Sequence, residues 1–271
     1  MLSANKPLML NLGCGTRTHD AWINIDFSLK AILRDLFFVR PFISTQNPVG
    51  YMNHDLRRGI PFPNGVVDVV YASHVLEHLV RKEALSFMKE IHRVLKPNGI
   101  IRIVVPDLEK AVITYLNALH TLRSDNTDSQ ENKDQHEWAT IMLVDQMVRT
   151  QPGGEMASWL REHRQSKIVQ SMEGIFLDIA NSDNSFEGRR GLKARVINIL
   201  RPKDPAKNGE LHRWMYDDIS LGHLFTQAGF KDVQRMSHLR SRISEWTNYY
   251  LDNNEDSSPH QPNSIWMEAV K

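Results

Sequence analysis

The sequence predicts an α/β fold: a largely parallel sheet covered by helices and interrupted by a mainly helical insertion. Three observations predict it. Short apolar runs alternate with helical spacing over about the first hundred residues, the signature of parallel strands joined by crossovers. From about Leu108 to Leu211 only helical spacing recurs. Beyond Leu211 the chain returns to strand and helix.

The elements follow in order. "LMLNLG" is an apolar run that breaks at Gly13, and "WINIDF" is a second. "VVDVVYAS", Val66 to Ser73, has the β-branched content of a buried parallel strand. "HVLEHLVRKEALSFMKEIHRVL", His74 to Leu95, carries apolar residues at helical spacing until "KPNG" stops it. "IIRIVVPD" is a fourth strand, ended by Pro106. In the middle, "AVITYLNALHTL" and "WATIMLVDQMV" read as helices. The polar tract Arg123–Gln135 between them reads as a solvated loop, as does Arg201–Glu210. "MYDDISLGHLFTQAGF" reads as a helix capped by Asp217 or Asp218 and ended at Gly229. "KDVQRMSHL" and "SIWMEAVK" are the final strands.

Composition narrows the function classes. A formal net charge of +1 argues against nucleic-acid binding by phosphate neutralisation. The single cysteine, Cys14, permits no intrachain disulfide and fits a reducing, cytoplasmic setting. No secretory signal and no stretch long enough to span a bilayer are visible. "AILRDLFFVRPFI", Ala31 to Ile43, is expected to be a helix buried against the sheet, with a docking surface as the alternative. The sequence carries no signal for an oligomeric state, and it shows neither zinc-type Cys/His spacing nor a nucleophilic triad.

The first strand runs into Gly13-Cys14-Gly15, a turn suited to bringing backbone close to a ligand at a strand's carboxyl end. Thr18 stands where a dinucleotide fingerprint needs its third glycine, which weakens a pyrophosphate reading. Asp26 closes the next strand and is placed to accept hydrogen bonds from both ribose hydroxyls of a nucleoside; a solvated strand end is the alternative. Between Gly15 and Asp26, "TRTHDA" leaves room for little more than one helical turn, where a crossover ordinarily has a helix. One sheet face therefore needs another cover, for which Ala31–Ile43 and the insertion are the candidates.

In order, "LNLGCGT", "INIDF", "HDL", "VVDVVYASHVLEHL", "RVLKPNGIIRIVVPD" and "LFTQAGF" resemble the class I S-adenosylmethionine-dependent methyltransferases, especially bacterial ones of unassigned substrate. The resemblance implies a Rossmann-like, mostly parallel seven-stranded sheet with an antiparallel last strand. It divides the chain into a methyltransferase domain of residues 1–107 and 211–271 and a helical insertion or cap of residues 108–210. It implies that S-adenosylmethionine is the cofactor, with Asn11, Gly13 and Gly15 at its methionine end and Asp26 on the ribose. Asp55 and Leu56 would meet the adenine, Ser73 and His74 would sit beside the methyl, and Glu77 and His78 would open the next helix.

If the acceptor is a hydroxyl, a base is useful, and His74, Asp107 and His212 are the candidates. Each also has a structural reading: Asp107 as a cap, His212 as a backbone partner at a domain edge. His212, Arg213, Trp214 and Tyr216 together offer aromatic and polar groups for a small-molecule or glycan-like acceptor, or form an amphipathic hinge. A nicotinamide-dependent oxidoreductase and a non-catalytic S-adenosylmethionine-binding protein are the competing readings. Cys14 is expected to serve packing.

Overall fold

The computed structural model describes residues 6–27, 50–124, 129–151, 153–172, 174–181 and 211–271. They fall into two compact units. The first comprises Met1–Pro106, Tyr216–Ser257 and Ser264–Lys271; the second comprises Asp107–Met215 and Ser258–Asn263.

The first unit is built on seven strands: β1 (Met9–Leu12), β2 (Ile23–Asp26), β3 (Tyr51–Asn53), β4 (Val67–Ser73), β5 (Leu95–Pro106), β6 (Lys231–Arg235) and β7 (Ser264–Val270). Their order across the sheet is β3-β2-β1-β4-β5-β7-β6. The first five run parallel, and β7 lies antiparallel to both β5 and β6. Leu12 pairs with Ile25 on one side and Ala72 on the other, so the carboxyl ends of β1, β2 and β4 finish side by side. This is the Rossmann-like arrangement, with an antiparallel last strand, that the motifs imply.

Alternation of side chains gives the central strands two buried faces. On one face Leu10, Leu12, Val70, Ala72, Ile101 and Ile103 pack against two helices, α1 (Arg81–Val94) and α7 (Asp218–Gln227). Helix α1 offers Ala84, Phe87, Met88, Ile91 and Val94 at helical spacing. Its Glu83 accepts from Val80 N–H at 3.2 Å, which satisfies one donor ahead of the first turn. The helix begins at Arg81 rather than at His74. His74 takes a left-handed φ of 54°, a 3-10 turn follows at Leu76–His78, and Val80 is extended. Glu77 and His78 therefore belong to this turn and not to the helix.

On the other face Met9, Val69, Tyr71 and Val104 pack with Trp22, Ile243, Trp246 and Leu251. Here the described residues supply a cover that the sequence did not point to. The cover over the shortened crossover comes from the irregular segment around residues 243–251, with edge-on aromatic contacts of Trp22 to Tyr71, Trp246 and Tyr249. Ala31–Ile43 lies outside the described residues.

The second unit is helical: α2 (Leu108–Ser124), α3 (Gln130–Val148), α4 (Gly154–Glu162), α5 (Lys167–Gln170) and α6 (Ile175–Asn181). Its core holds Trp138, Met156, Trp159, Leu160 and Val169, with Trp138 and Trp159 stacked 5.1 Å apart. Most of the described part of the tract 123–135, expected as loop, is helical. Arg123 and Ser124 end α2, and Ser129 caps α3 by accepting from Asn132 N–H. A Gln130–Asp134 bond of 2.7 Å then spans the first turn. In the described part, the polarity belongs to solvated helix faces. The stretch 201–210 lies outside the described residues.

Candidate functional site

The glycine turn is set by steric limits and by one carboxylate. Gly13 and Gly15 have φ of 67° and 51°, in the left-handed region that side chains rarely enter. A Cβ on Gly13 would overlap Val75 Cγ2, so any side chain there would force Val75 to move. A Cβ on Gly15 would meet nothing within 4 Å. The turn thus backs onto the chain at Gly13 and faces open space at Gly15. The Gly13 and Cys14 amides donate to Ile25 O at 2.7 and 3.2 Å. Gly15 N–H donates to Asp26 Oδ2 at 2.7 Å, and Phe27 N–H to Asp26 Oδ1 at 2.6 Å. Each oxygen of Asp26 keeps a further lone pair for an incoming hydroxyl.

Behind the turn, Asn11 is 1% exposed. Its amide donates to Arg17 O at 2.8 Å and to Asn24 Oδ1 at 3.0 Å. Asn24 donates in turn to His19 O and Trp22 O. These two asparagines, paired across β1 and β2, stitch the short crossover shut. Arg17 reaches from the turn to Tyr250 O at 3.3 Å and Asn254 Oδ1 at 2.6 Å. Sequence reasoning did not single out Asn24 or Arg17. The available signal was a pair of asparagines at equivalent places in two apolar strands.

Asp55 caps the 3-10 turn Leu56–Arg58 after β3. Its carboxylate accepts from Arg57 Nε and Nη2, both at 2.9 Å, and the side-chain bond from Arg57 holds the carboxyl below its usual range. Leu56 packs against the main core and, with Arg57, Val75, Leu79 and Phe87, lines a cavity of about 430 Å³.

At the end of β4, Ser73 pairs with Val104 and His74 follows. The His74 side chain is 23% exposed. Its Nδ1 lies 3.0 Å from Glu77 Oε1, and its Nε2 lies 3.1 Å from Ser264 Oγ. The positive φ of His74 aims the ring between these partners, and its amide donates to Val104 O at 2.9 Å. Tyr216, at the chain's return to this unit, is buried, and burial pushes its phenol up to about 12, helped by the charge of Glu77.

The structure thus brings Asn11, Gly13, Gly15, Asp26, Asp55, Leu56, Ser73 and His74 onto one unit, on the ends of adjacent strands and the turns after them. Asp107 and His212 belong to the second unit. Asp107 is buried and accepts from Lys110 N–H at 3.0 Å, a cap for α2. His212 is buried, and its amide donates to Gln146 O at 2.8 Å.

An open left-handed glycine beside a strand-end carboxylate, with a second acid–leucine pair one strand further on, fits a nucleoside carrying an amino-acid tail. Residues 10–103 match the family described as methyltransferase domain. With the strand order, this gives the chain a methyltransferase domain of the class I, S-adenosylmethionine-dependent kind. No curated protein matches. Among solved structures it is similar to a methyltransferase from Archaeoglobus fulgidus: 13% identity, 98% of this chain and 87% of that one, TM-score 0.41. A Mesorhizobium loti methyltransferase is 12% identical over 97% and 90% of the two chains, TM-score 0.41. A possible histamine N-methyltransferase from Thermotoga maritima is 13% identical over 97% and 81%, TM-score 0.39. Among the described residues, no helix is long and apolar enough to cross a membrane.

Proposed function

We propose that the protein methylates a hydroxyl of a small-molecule or glycan-like acceptor, with His74 as the base. The observation that carries this reading is the His74 ring at the end of β4, partly exposed, with Nε2 3.1 Å from Ser264 Oγ and Nδ1 3.0 Å from the buried Glu77 carboxylate. Bound S-adenosylmethionine supplies an electrophilic methyl on a sulfonium. Asp26 would hold the ribose, the Gly13–Gly15 turn the methionine end, and Asp55 and Leu56 the adenine. With the donor fixed, rate comes mainly from alignment of the acceptor oxygen, and His74 takes the proton as the new oxygen–carbon bond forms and the carbon–sulfur bond breaks.

Residues 108–210 are assigned the role of a cap that supplies acceptor contacts, because β5 ends at Pro106 and the chain continues at once into α2. His212, Arg213, Trp214 and Tyr216, where the chain returns, offer the aromatic and polar groups such an acceptor needs. His212 is the second candidate base; Asp107 is assigned the capping bond. The formal charge of +1 gives no long-range pull on a polyanion, which disfavours nucleic acid.

Purified protein with methyl-labelled donor should be screened against sugar nucleotides, small hydroxylated metabolites, RNA and DNA. Labelling of a small hydroxyl compound is the expected result. His74→Ala should lower its turnover roughly 10²-fold while the donor's Kd holds. Labelling of RNA alone would overturn the acceptor class, and donor binding without turnover on any acceptor would favour a non-catalytic binding protein.

A further inference from the structure

We infer that the helical unit carries a divalent-cation site formed by Asp134, Glu137 and His163, suited to a transition metal of the zinc kind. The inference goes beyond the methyl-transfer reading and does not rest on it, since none of the three residues is assigned to the donor, the acceptor or the base.

The site is built from two helices of one unit. Asp134 and Glu137 lie three residues apart early in α3, so their side chains leave the same helix face. His163 caps the carboxyl end of α4, where the partial negative charge of the helix terminus favours a cation. Each of the three side chains brings one ligand atom within 4.8 Å of the other two. Metal bonds of about 2.0–2.2 Å would draw these atoms closer. Glu137 is exposed, and Asp134 and His163 are half-buried, so the side chains have room to close in.

The surrounding fold already orients the ligands. His163 Nδ1 lies 3.0 Å from Trp159 O, and a carbonyl oxygen only accepts, so in the neutral ring Nδ1 carries the hydrogen and Nε2 the lone pair. A histidine that ligates a metal through one nitrogen ordinarily gives the other to a backbone carbonyl or a carboxylate in this way. The Trp159 indole stacks on the His163 ring at 4.1 Å, and its Nε1 donates to Glu137 Oε2 at 2.9 Å. Trp159 is itself buried, so one rigid residue sets both the imidazole and a carboxylate. Asp134 accepts from the Gln130 amide at 2.7 Å. Among the described residues both acids thus meet neutral donors, and neither forms an ion pair. Neighbouring carboxylates disfavour each other's charge, and a cation between them removes that cost.

The donor set selects the cation. Imidazole with carboxylate suits zinc and its neighbours, whereas Mg²⁺ and Ca²⁺ take all-oxygen shells. Three protein ligands leave a position open. Glu137 also lines a cavity of about 530 Å³, through which water or a small oxygen ligand can reach that position. The chain shows no zinc-type Cys/His spacing because these ligands come from separate helices.

Zinc chloride titrated calorimetrically into the chelator-treated full chain tests the site. Saturable binding is expected, with a change in tryptophan emission in step with it, because Trp159 touches two of the ligands. Asp134→Asn, Glu137→Gln and His163→Gln should each weaken that binding at least about tenfold. Trp159→Phe keeps a ring over His163 but removes the bond to Glu137, and should weaken it about 10- to 100-fold. Magnesium chloride should not displace the zinc. Should Trp159→Phe not fold, the three ligand variants, whose side chains lie outside the core, still decide. No saturable binding up to the millimolar range would overturn the proposal. So would zinc bound equally well by all three ligand variants, which would place the metal elsewhere.

Discussion

One carboxylate oxygen of Asp26 accepts from the Gly15 amide and the other from the Phe27 amide, so this side chain shapes the turn, and under the proposed function it would also hold the ribose. Asp26→Ala removes both functions. The expected loss is about 1.5–3 kcal/mol for each charge-assisted bond to the donor, or roughly 10- to 150-fold in Kd by calorimetry. Asp26→Asn keeps one acceptor oxygen and should fall between. An Asp26→Ala protein that binds S-adenosylmethionine like wild type would remove the ribose assignment. Cys14, between the two glycines, makes a second residue-scale prediction. Burial first, and then the charge of Asp26, push its thiol up to about 12. The reactive species of a cysteine is the thiolate. The folded protein should therefore resist thiol reagents at pH 8, and one equivalent should react only after unfolding. Fast labelling of the native chain would mean that the turn is open.

At the scale of elements, α7 carries the clearest cap. Asp217 accepts from Ser220 N–H at 2.7 Å, and Ser220 Oγ accepts from Asp217 N–H at 3.1 Å. The backbone bond from Ser220 is the main cause holding the Asp217 carboxyl below its ordinary value of 3.8. A carboxyl depressed by folding contributes stability above its unfolded pKa and loses it as pH falls through the folded one. Asp217→Ala should cost about 1 kcal/mol in urea melts at pH 7, and the difference should shrink as pH falls below 3.8. Asp217→Asn should cap nearly as well at pH 7. This helix, the glycine turn and the apolar strands were legible in the sequence because each is written in local signals: a capping residue, a breaker, a run of β-branched side chains. The start of α1 was not, because helical spacing runs on through His74–Val80, and only the left-handed His74 and extended Val80 interrupt it. Nor was the helical nature of Gln130–Gln135, whose polarity mimics a loop. Of the candidate site, the place of Asp26 at a strand end was readable from the apolar run that it closes. The partnership of His74 with Ser264 was not, since 190 residues separate them and only the sheet order joins β4 through β5 to β7.

At the scale of the first unit, the segment from Ile243 to Asn254 ties the end of the chain to its beginning. Its sequence has no strand or helix period, and its place comes from docking. Arg102 of β5 is the peg. It is fully buried, with Nε and Nη2 on Asp252 at 2.8 and 2.7 Å and Nη1 on Glu268 at 2.7 Å. Its remaining donors reach Ser237 O and Arg240 O, and Trp246 stacks over the guanidinium at 4.5 Å. Tyr71 donates to the other oxygen of Asp252 at 2.6 Å. Breaking a buried ion pair from one side leaves an uncompensated charge, which typically costs about 3–5 kcal/mol. Arg102→Met, which keeps the stem but strands two carboxylates, should lose about that much in denaturant melts. Asp252→Asn should lose less, because Glu268 still neutralises the arginine and the amide oxygen still accepts. In Arg102→Met/Asp252→Asn one stranded carboxylate is gone, so the double loss should be smaller than the sum of the two by about 1–3 kcal/mol. Additive losses would show that the pair is not coupled. The far end of the same segment gives a binding test. Arg17, in the glycine turn, holds Tyr250 O and Asn254 Oδ1. Asn254→Ala removes one of these bonds without touching the strand-end carboxylates. It should weaken S-adenosylmethionine binding several-fold, in line with about 1 kcal/mol for one hydrogen bond, while the melting midpoint stays close to wild type. An unchanged Kd would mean that the turn keeps its shape without this tether, and that the segment serves only to cover the sheet.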